Sequence, residues 1–157
     1  HIGRYVAALA NRGSVYNLTL LDRVESADGT LIEENEADLY NQVEIADSSW
    51  DAVQQGMMLV ADDTTSLNAL SDLGLDVAGK TGTAQQSRSH PNHALFVGYA
   101  PADNPEIAVA VRIANGYTSS NTAEVAADIF KYYFNLVDDE EILTGTASGS
   151  SGQNIAD

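Results

Sequence analysis

Two apolar runs, Ala94 to Ala100 and Ile107 to Ala114, stand on either side of the short polar connection Ala102-Asp103-Asn104-Pro105. A connection that short has no room for a crossover, so the two runs form an antiparallel hairpin. The second run is almost wholly apolar and is expected to be buried on both faces. Such a sheet needs helices against it, and the flanking sequence provides them. Ile2, Tyr5, Val6 and Leu9 recur at helical spacing until Asn11-Arg12-Gly13 ends the pattern with a glycine suited to a C-terminal cap. Ser48 precedes Asp51 by three residues as in a capping box, and a helix from about Trp50 aligns Val53, Gly56, Met57 and Val60. Asn121 with Glu124 predicts another helix start, and Val125, Ile129, Tyr132, Tyr133 and Leu136 form its amphipathic stripe to about Val137. Val15 to Val24 and Thr30 to Ile45 alternate as strands do, with Asp28-Gly29 between them as a hairpin signal. The fold class is therefore α+β, an antiparallel β-sheet flanked by helices.

At 157 residues and 44% hydrophobic content the chain can bury one core. Seven Lys and Arg against 23 Asp and Glu give a net charge of −16, which argues against nucleic acid as a partner. The clusters Glu33, Glu34, Glu36, Asp38 and Asp138, Asp139, Glu140, Glu141 read as solvated surface. No regularly spaced D-x-D-x-D-G loop accompanies them, so neither a metal nor a cofactor is expected. Cysteine is absent, which excludes disulfides, thiolate catalysis and cysteine-ligated zinc. From Asp138 the acidic residues give way to Thr144-Gly145-Thr146-Ala147-Ser148-Gly149 and further Ser and Gly. We therefore expect an ordered unit over 1–137 and a disordered tail over 138–157. The helical pattern is already under way at His1, so a longer parent protein is expected.

Gly79-Lys80-Thr81-Gly82-Thr83 carries the chemistry, and it has two readings. With Gly74 it spells the G-x-x-x-x-G-K-[ST] of a phosphate loop. A phosphate loop needs a helix directly after Lys-[ST], whereas here Gly82 and a polar stretch to Pro91 follow, and no Walker-B-like aspartate ends the later strand. The other reading is a strand: a lysine facing a cleft, threonines for a carboxylate, and glycines that let a substrate lie along the strand edge.

Lys80-Thr81-Gly82-Thr83 resembles the third signature motif of the penicillin-recognising serine enzymes, whose other motifs are S-x-x-K and S-x-N. The likeness continues through Ala78 to Gln85, His93 to Pro101, Pro105 to Val111 and Tyr5 to Gly13, in the order found in class B penicillin-binding proteins. It covers about Ile2 to Leu136 and corresponds to the C-terminal part of a transpeptidase domain. The resemblance implies a β-lactamase-like fold lacking the helical part that carries the nucleophile. It implies catalytic roles for Lys80, as a source of positive potential near the nucleophile, and for Thr83, whose backbone N–H would serve the oxyanion hole. It implies that Thr81, Gly82 and Thr83 bind substrate. The implied activity is D,D-transpeptidation of peptidoglycan stem peptides ending in D-Ala-D-Ala through a serine acyl-enzyme, with β-lactams as trapping ligands. A D,D-carboxypeptidase or β-lactamase would differ only in the acyl acceptor. The implied address is the extracytoplasmic face of the membrane, anchored by an upstream transmembrane helix.

One departure is severe. Lys80 and Lys131 are the only lysines, and Val77 and Asp128 stand three residues before them, so this chain contains no S-x-x-K. Ser66-Leu67-Asn68 and Ser119-Ser120-Asn121 spell S-x-N at positions that do not suit the family order. The chain is thus expected to be a fragment, inert alone, prone to self-association, and dependent on the missing N-terminal part of its polypeptide. A non-catalytic muropeptide- or antibiotic-binding module is the alternative, and a phosphate-loop nucleotide hydrolase the third. His90, His93, Arg88 and Ser89 read as structural or solvated loop residues, Met57 and Met58 as core. Trp50, Tyr99 and Tyr117 read as packing anchors, with 117–121 bordering the cleft.

Overall fold

The computed structural model describes residues 1–63, 66–138, 140 and 142. In chain order the elements are α1 (Ile2–Ala10), β1 (Ser14–Tyr16), β2 (Arg23–Glu25), β3 (Leu31–Glu34), β4 (Leu39–Gln42), α2 (Asp47–Ala61), α3 (Asn68–Ser71), β5 (Ala78–Ala84), β6 (His93–Ala100), β7 (Ile107–Ile113) and α4 (Ser119–Tyr133). Strands β5, β6 and β7 form an antiparallel sheet with β6 central. Its register runs unbroken from Ala78 opposite Tyr99 to Ala84 opposite His93, and from Ala94 opposite Ile113 to Ala100 opposite Ile107. The two-stranded pairs β1–β4 and β2–β3 form the extended segment between α1 and α2.

Alternation along the sheet sorts its side chains into two cores. Phe96, Ala100 and Val109 join Ala123, Ala126, Ala127 and Phe130 of α4 and Leu70 of α3. The opposite face sends Ala78 and Tyr99 against Val6 of α1 and Met57 of α2, with Val97 and Ala108 packed around them. The sheet is therefore a filling between helices, as the α+β reading requires.

Four local expectations are corrected. Helix α4 turns its other face to the sheet: Thr122, Ala123, Ala126, Ala127 and Phe130 are buried, while Val125, Ile129, Tyr132, Tyr133 and Leu136 are exposed. Small alanines let the helix axis come close to the sheet, and Phe130 fills the remaining gap. Neither capping box forms. Helix α2 starts at Asp47 with Ala46 at its N-cap, a side chain that cannot accept a hydrogen bond, so Ser48 falls inside the first turn while the Asp51 carboxylate pairs with Arg12 at 2.9 Å. In α4 the Asn121 amide instead donates to the Gly116 carbonyl at 2.8 Å. Along α2, Trp50, Met57 and Ala61 are buried, whereas Val53 and Gly56 face outward. Strand β7 is only half-covered: Val109 is buried, but Ala110 and Arg112 are exposed, because the α1-side cluster ends at Ala108.

The end of α1 follows the expected pattern. Gly13 has φ +101°, and a Cβ there would lie 2.2 Å from the Val43 carbonyl oxygen. Only glycine permits that approach. Asp28-Gly29 turns the β2–β3 hairpin, with Gly29 at φ +83° and the Asp28 carboxylate accepting from the Thr30 N–H at 3.1 Å. Of the tail expected over 138–157, only residues 138, 140 and 142 fall within the described set.

Candidate active site

Lys80, Thr81, Gly82 and Thr83 lie consecutively on β5, an edge strand whose sole ladder partner is β6. The backbone groups of alternate β5 residues therefore point away from the sheet, a row of donors and acceptors open to an added strand. The phosphate-loop reading fails here, since the chain is extended through Lys80 and Thr81 and no helix follows. An extended strand cannot gather its amides around one phosphate as a loop and helix N-terminus do.

Strand alternation divides the motif. Lys80 and Gly82 share the face of Ala78 and Val97, while Gly79, Thr81 and Thr83 share the face of Phe96. Lys80 and Thr83 are exposed, Thr81 and Gly82 half-buried. The Lys80 ammonium donates to the Thr81 carbonyl at 2.9 Å. Among the described residues no carboxylate lies within ion-pair distance of Lys80, so two of its three donors and its charge face outward.

The two glycines of the strand differ in kind. A Cβ on Gly79 would sit 2.6 and 2.7 Å from Phe96 ring carbons, and one on the facing Gly98 would meet the same ring at 2.8 Å. The tip of the Phe96 ring thus fills the space that side chains at both glycines would occupy, which joins β5 to β6 on that face. A Cβ on Gly82 would meet only Leu95, at 3.5 Å. The fold itself does not require glycine at 82, and the space above it is open.

Beyond Thr83 the sheet end is braced by contacts that motif reading missed. The Asn115 N–H donates to His93 Nδ1 at 3.0 Å, which leaves the ring proton on Nε2 to donate to Gln86 Oε1 at 2.6 Å. The Tyr117 N–H donates to the Asn92 carbonyl at 3.1 Å. These bonds tie the loop after β5 to the loop after β7. His93 braces the two loops, while among the described residues His90 reaches Ser89, at 3.0 Å. Asn115 and Tyr117 have φ of 54° and 65°. The Asn115-Gly116 dipeptide is the sequence signal for that tight corner. Tyr117 is corrected: it is about half exposed beside the site, while Trp50 and Tyr99 are buried as packing anchors. Arg88 and Ser89 are exposed.

The chain matches the family model described as the penicillin binding protein transpeptidase domain over residues 1–134. It belongs to that family. It is 33% identical to the peptidoglycan D,D-transpeptidase MrdA of Haemophilus influenzae over 155 residues, covering 85% of this chain and 23% of the relative. It is 29% identical to penicillin-binding protein 2A of Bacillus subtilis, covering 86% of this chain and 22% of the relative. Among solved structures, penicillin-binding protein 2B of Streptococcus pneumoniae strain R6 superposes with a TM-score of 0.73 at 31% identity, covering 86% of this chain and 24% of that one. The chain thus spans less than a quarter of the length of these relatives. Among the described residues no helix is long and apolar enough to cross a membrane, and no three metal-ligating side chains gather.

Proposed function

We propose that the chain is one wall of a D,D-transpeptidase site, acting in a larger protein that cross-links peptidoglycan stem peptides. The observation that carries this reading is the Lys80-Thr81-Gly82-Thr83 run on the open edge of β5, exposed at Lys80 and Thr83, in a chain belonging to the transpeptidase family. A stem peptide ending in D-Ala-D-Ala adds to that edge as a strand. Thr81 and Thr83 hydroxyls hold its carboxylate, and Gly82 leaves room for its backbone. A serine supplied from outside these 157 residues attacks the carbonyl of the penultimate D-alanine. The Thr83 N–H stabilises the oxyanion, a donor worth about 3 kcal/mol of barrier. The terminal D-alanine leaves with a proton, and an amine of a neighbouring stem peptide takes the acyl group. Lys80 supplies positive potential for these proton transfers, and β-lactams acylate the same serine. Tyr117 and its corner border the cleft. The whole protein works at the extracytoplasmic face of the membrane, held by an N-terminal transmembrane helix.

The test is acylation by a fluorescent penicillin. The whole protein is labelled, Lys80→Ala lowers its acylation rate about a hundredfold or more, and the isolated 157-residue chain takes no label. Undiminished labelling of Lys80→Ala would sink the role of Lys80. Labelling of the isolated chain would sink the placement of the nucleophile. A whole protein that binds penicillin reversibly without a covalent adduct would favour the non-catalytic module.

A further inference from the structure

The ladder between β5 and β6 ends at Ala84 opposite His93, so Thr83 is the last residue but one of an edge strand held from one side only. The ends of such strands open most readily, because few contacts oppose their separation. Beyond Ala84 the chain enters a loop in which Gln85 and Gln86 are exposed. The side chain that bridges this end is His93, itself half-buried. Its Nε2 reaches Gln86 Oε1 at 2.6 Å in the loop after β5, and its Nδ1 accepts the Asn115 N–H at 3.0 Å in the corner after β7. That corner is anchored in turn. Gly116 packs so closely that a Cβ there would lie 2.9 Å from the Ala94 Cβ, and its carbonyl accepts from the Asn121 amide at 2.8 Å. An apolar side chain would fill a half-buried position as well as histidine does. Two engaged ring nitrogens are more than packing asks for.

From the end of the edge ladder beside Thr83 and the two engaged nitrogens of one ring, we infer that His93 is a positioning residue for acyl transfer, holding the Thr83 N–H where the oxyanion forms. This role rests on the transpeptidase reading of β5. An oxyanion donor works only from a fixed place, and a shift of about 1 Å can cost on the order of a hundredfold in rate. The His93 nitrogens are taken by the two loops, so the ring acts through Gln86 and Asn115 and not on the substrate.

The test uses the whole protein and the rate constant of its labelling by a saturating fluorescent penicillin, which reads acylation apart from reversible binding. His93→Phe keeps a ring but loses both bonds, and should slow acylation by about tenfold or more. Gln86→Leu, at an exposed loop position, loses one bond and should slow it by about threefold or more. The double variant should be no slower than His93→Phe, because the two residues act through one link. Mere loss of stability would lower the fraction of protein labelled and leave the rate constant of the folded fraction unmoved. Circular dichroism establishes that each variant is folded, and if His93→Phe unfolds, Gln86→Leu decides. A wild-type protein that takes no label overturns the transpeptidase reading and this role with it. A labelled wild type with unaltered rate constants in the folded variants, or with losses that multiply in the double variant, overturns the role of His93 alone.

Discussion

Gly79 and Gly82 sit three residues apart on one strand but answer to different constraints. Gly79→Ala drives a methyl into the Phe96 ring, whose nearest carbons lie at 2.6 and 2.7 Å. Chemical denaturation should show a loss of about 1–3 kcal/mol, the usual cost of overpacking. Gly82→Ala makes only an ordinary contact with Leu95 at 3.5 Å, so stability should change by less than about 1 kcal/mol. On the proposed reading of the site it should nevertheless slow penicillin acylation in the whole protein, since the methyl would enter the space that reading gives to the substrate. Asp28 offers a titration test. The Ser26 hydroxyl and then the Thr30 N–H donate to its carboxylate and hold its pKa down at about 2, from 3.8. Because the folded value is the lower one, the stabilisation is present above the unfolded pKa and is lost as pH falls from about 3.8 through about 2. An NMR titration of the Asp28 carboxyl should show the low midpoint, and Ser26→Ala should raise it. At this scale the motif was legible, because four consecutive residues with distinct chemistry announce themselves in any order of reading. The contact of Phe96 with two glycines was not, because it depends on which residues of β6 lie opposite β5.

The elements were legible in number and order, and less so in orientation. Large residues at helical spacing pointed to the wrong side of α4, since Val125, Ile129 and Tyr132 make as good a stripe as Ala123, Ala126, Ala127 and Phe130. Hydrophobicity ranks the larger residues higher, but close approach to a sheet rewards the smaller ones. Ala127→Leu should therefore destabilise by about 1–3 kcal/mol, while Ile129→Ser should cost less than about 1 kcal/mol, with thermal or urea unfolding as the measurement. Both false capping boxes share one cause. Each helix begins before the expected cap, α2 at Asp47 after Ala46 and α4 at Ser119 after Thr118, so Ser48 and Asn121 lie inside the first turn. The corner at Tyr117 was announced by Asn115-Gly116, but its link to His93 and Asn92 bridges two loops and needed the sheet to bring them together.

For the whole molecule, much apolar surface faces outward: Ile2 is 55% exposed, Leu59 75%, Ile32 66% and Tyr132 61%. Such patches mark surfaces that another part of a protein covers, or that associate. The isolated chain should self-associate, with sedimentation velocity showing concentration-dependent species beyond the monomer. A single monomeric boundary at all concentrations would count against it. The amino-acid sequence by itself determined the class of fold, the sheet hairpin, the Lys80-Thr81-Gly82-Thr83 motif and the absence of S-x-x-K within these residues, because each is written in local spacing or in which residue types are present. Only the tertiary structure decided which helix faces are buried, that Lys80 and Thr81 fall on opposite faces of an open edge, and that the His93 ring joins the loops at the end of that edge. Those outcomes rest on contacts between segments far apart in the chain, where packing volume and competition for partners override local preference.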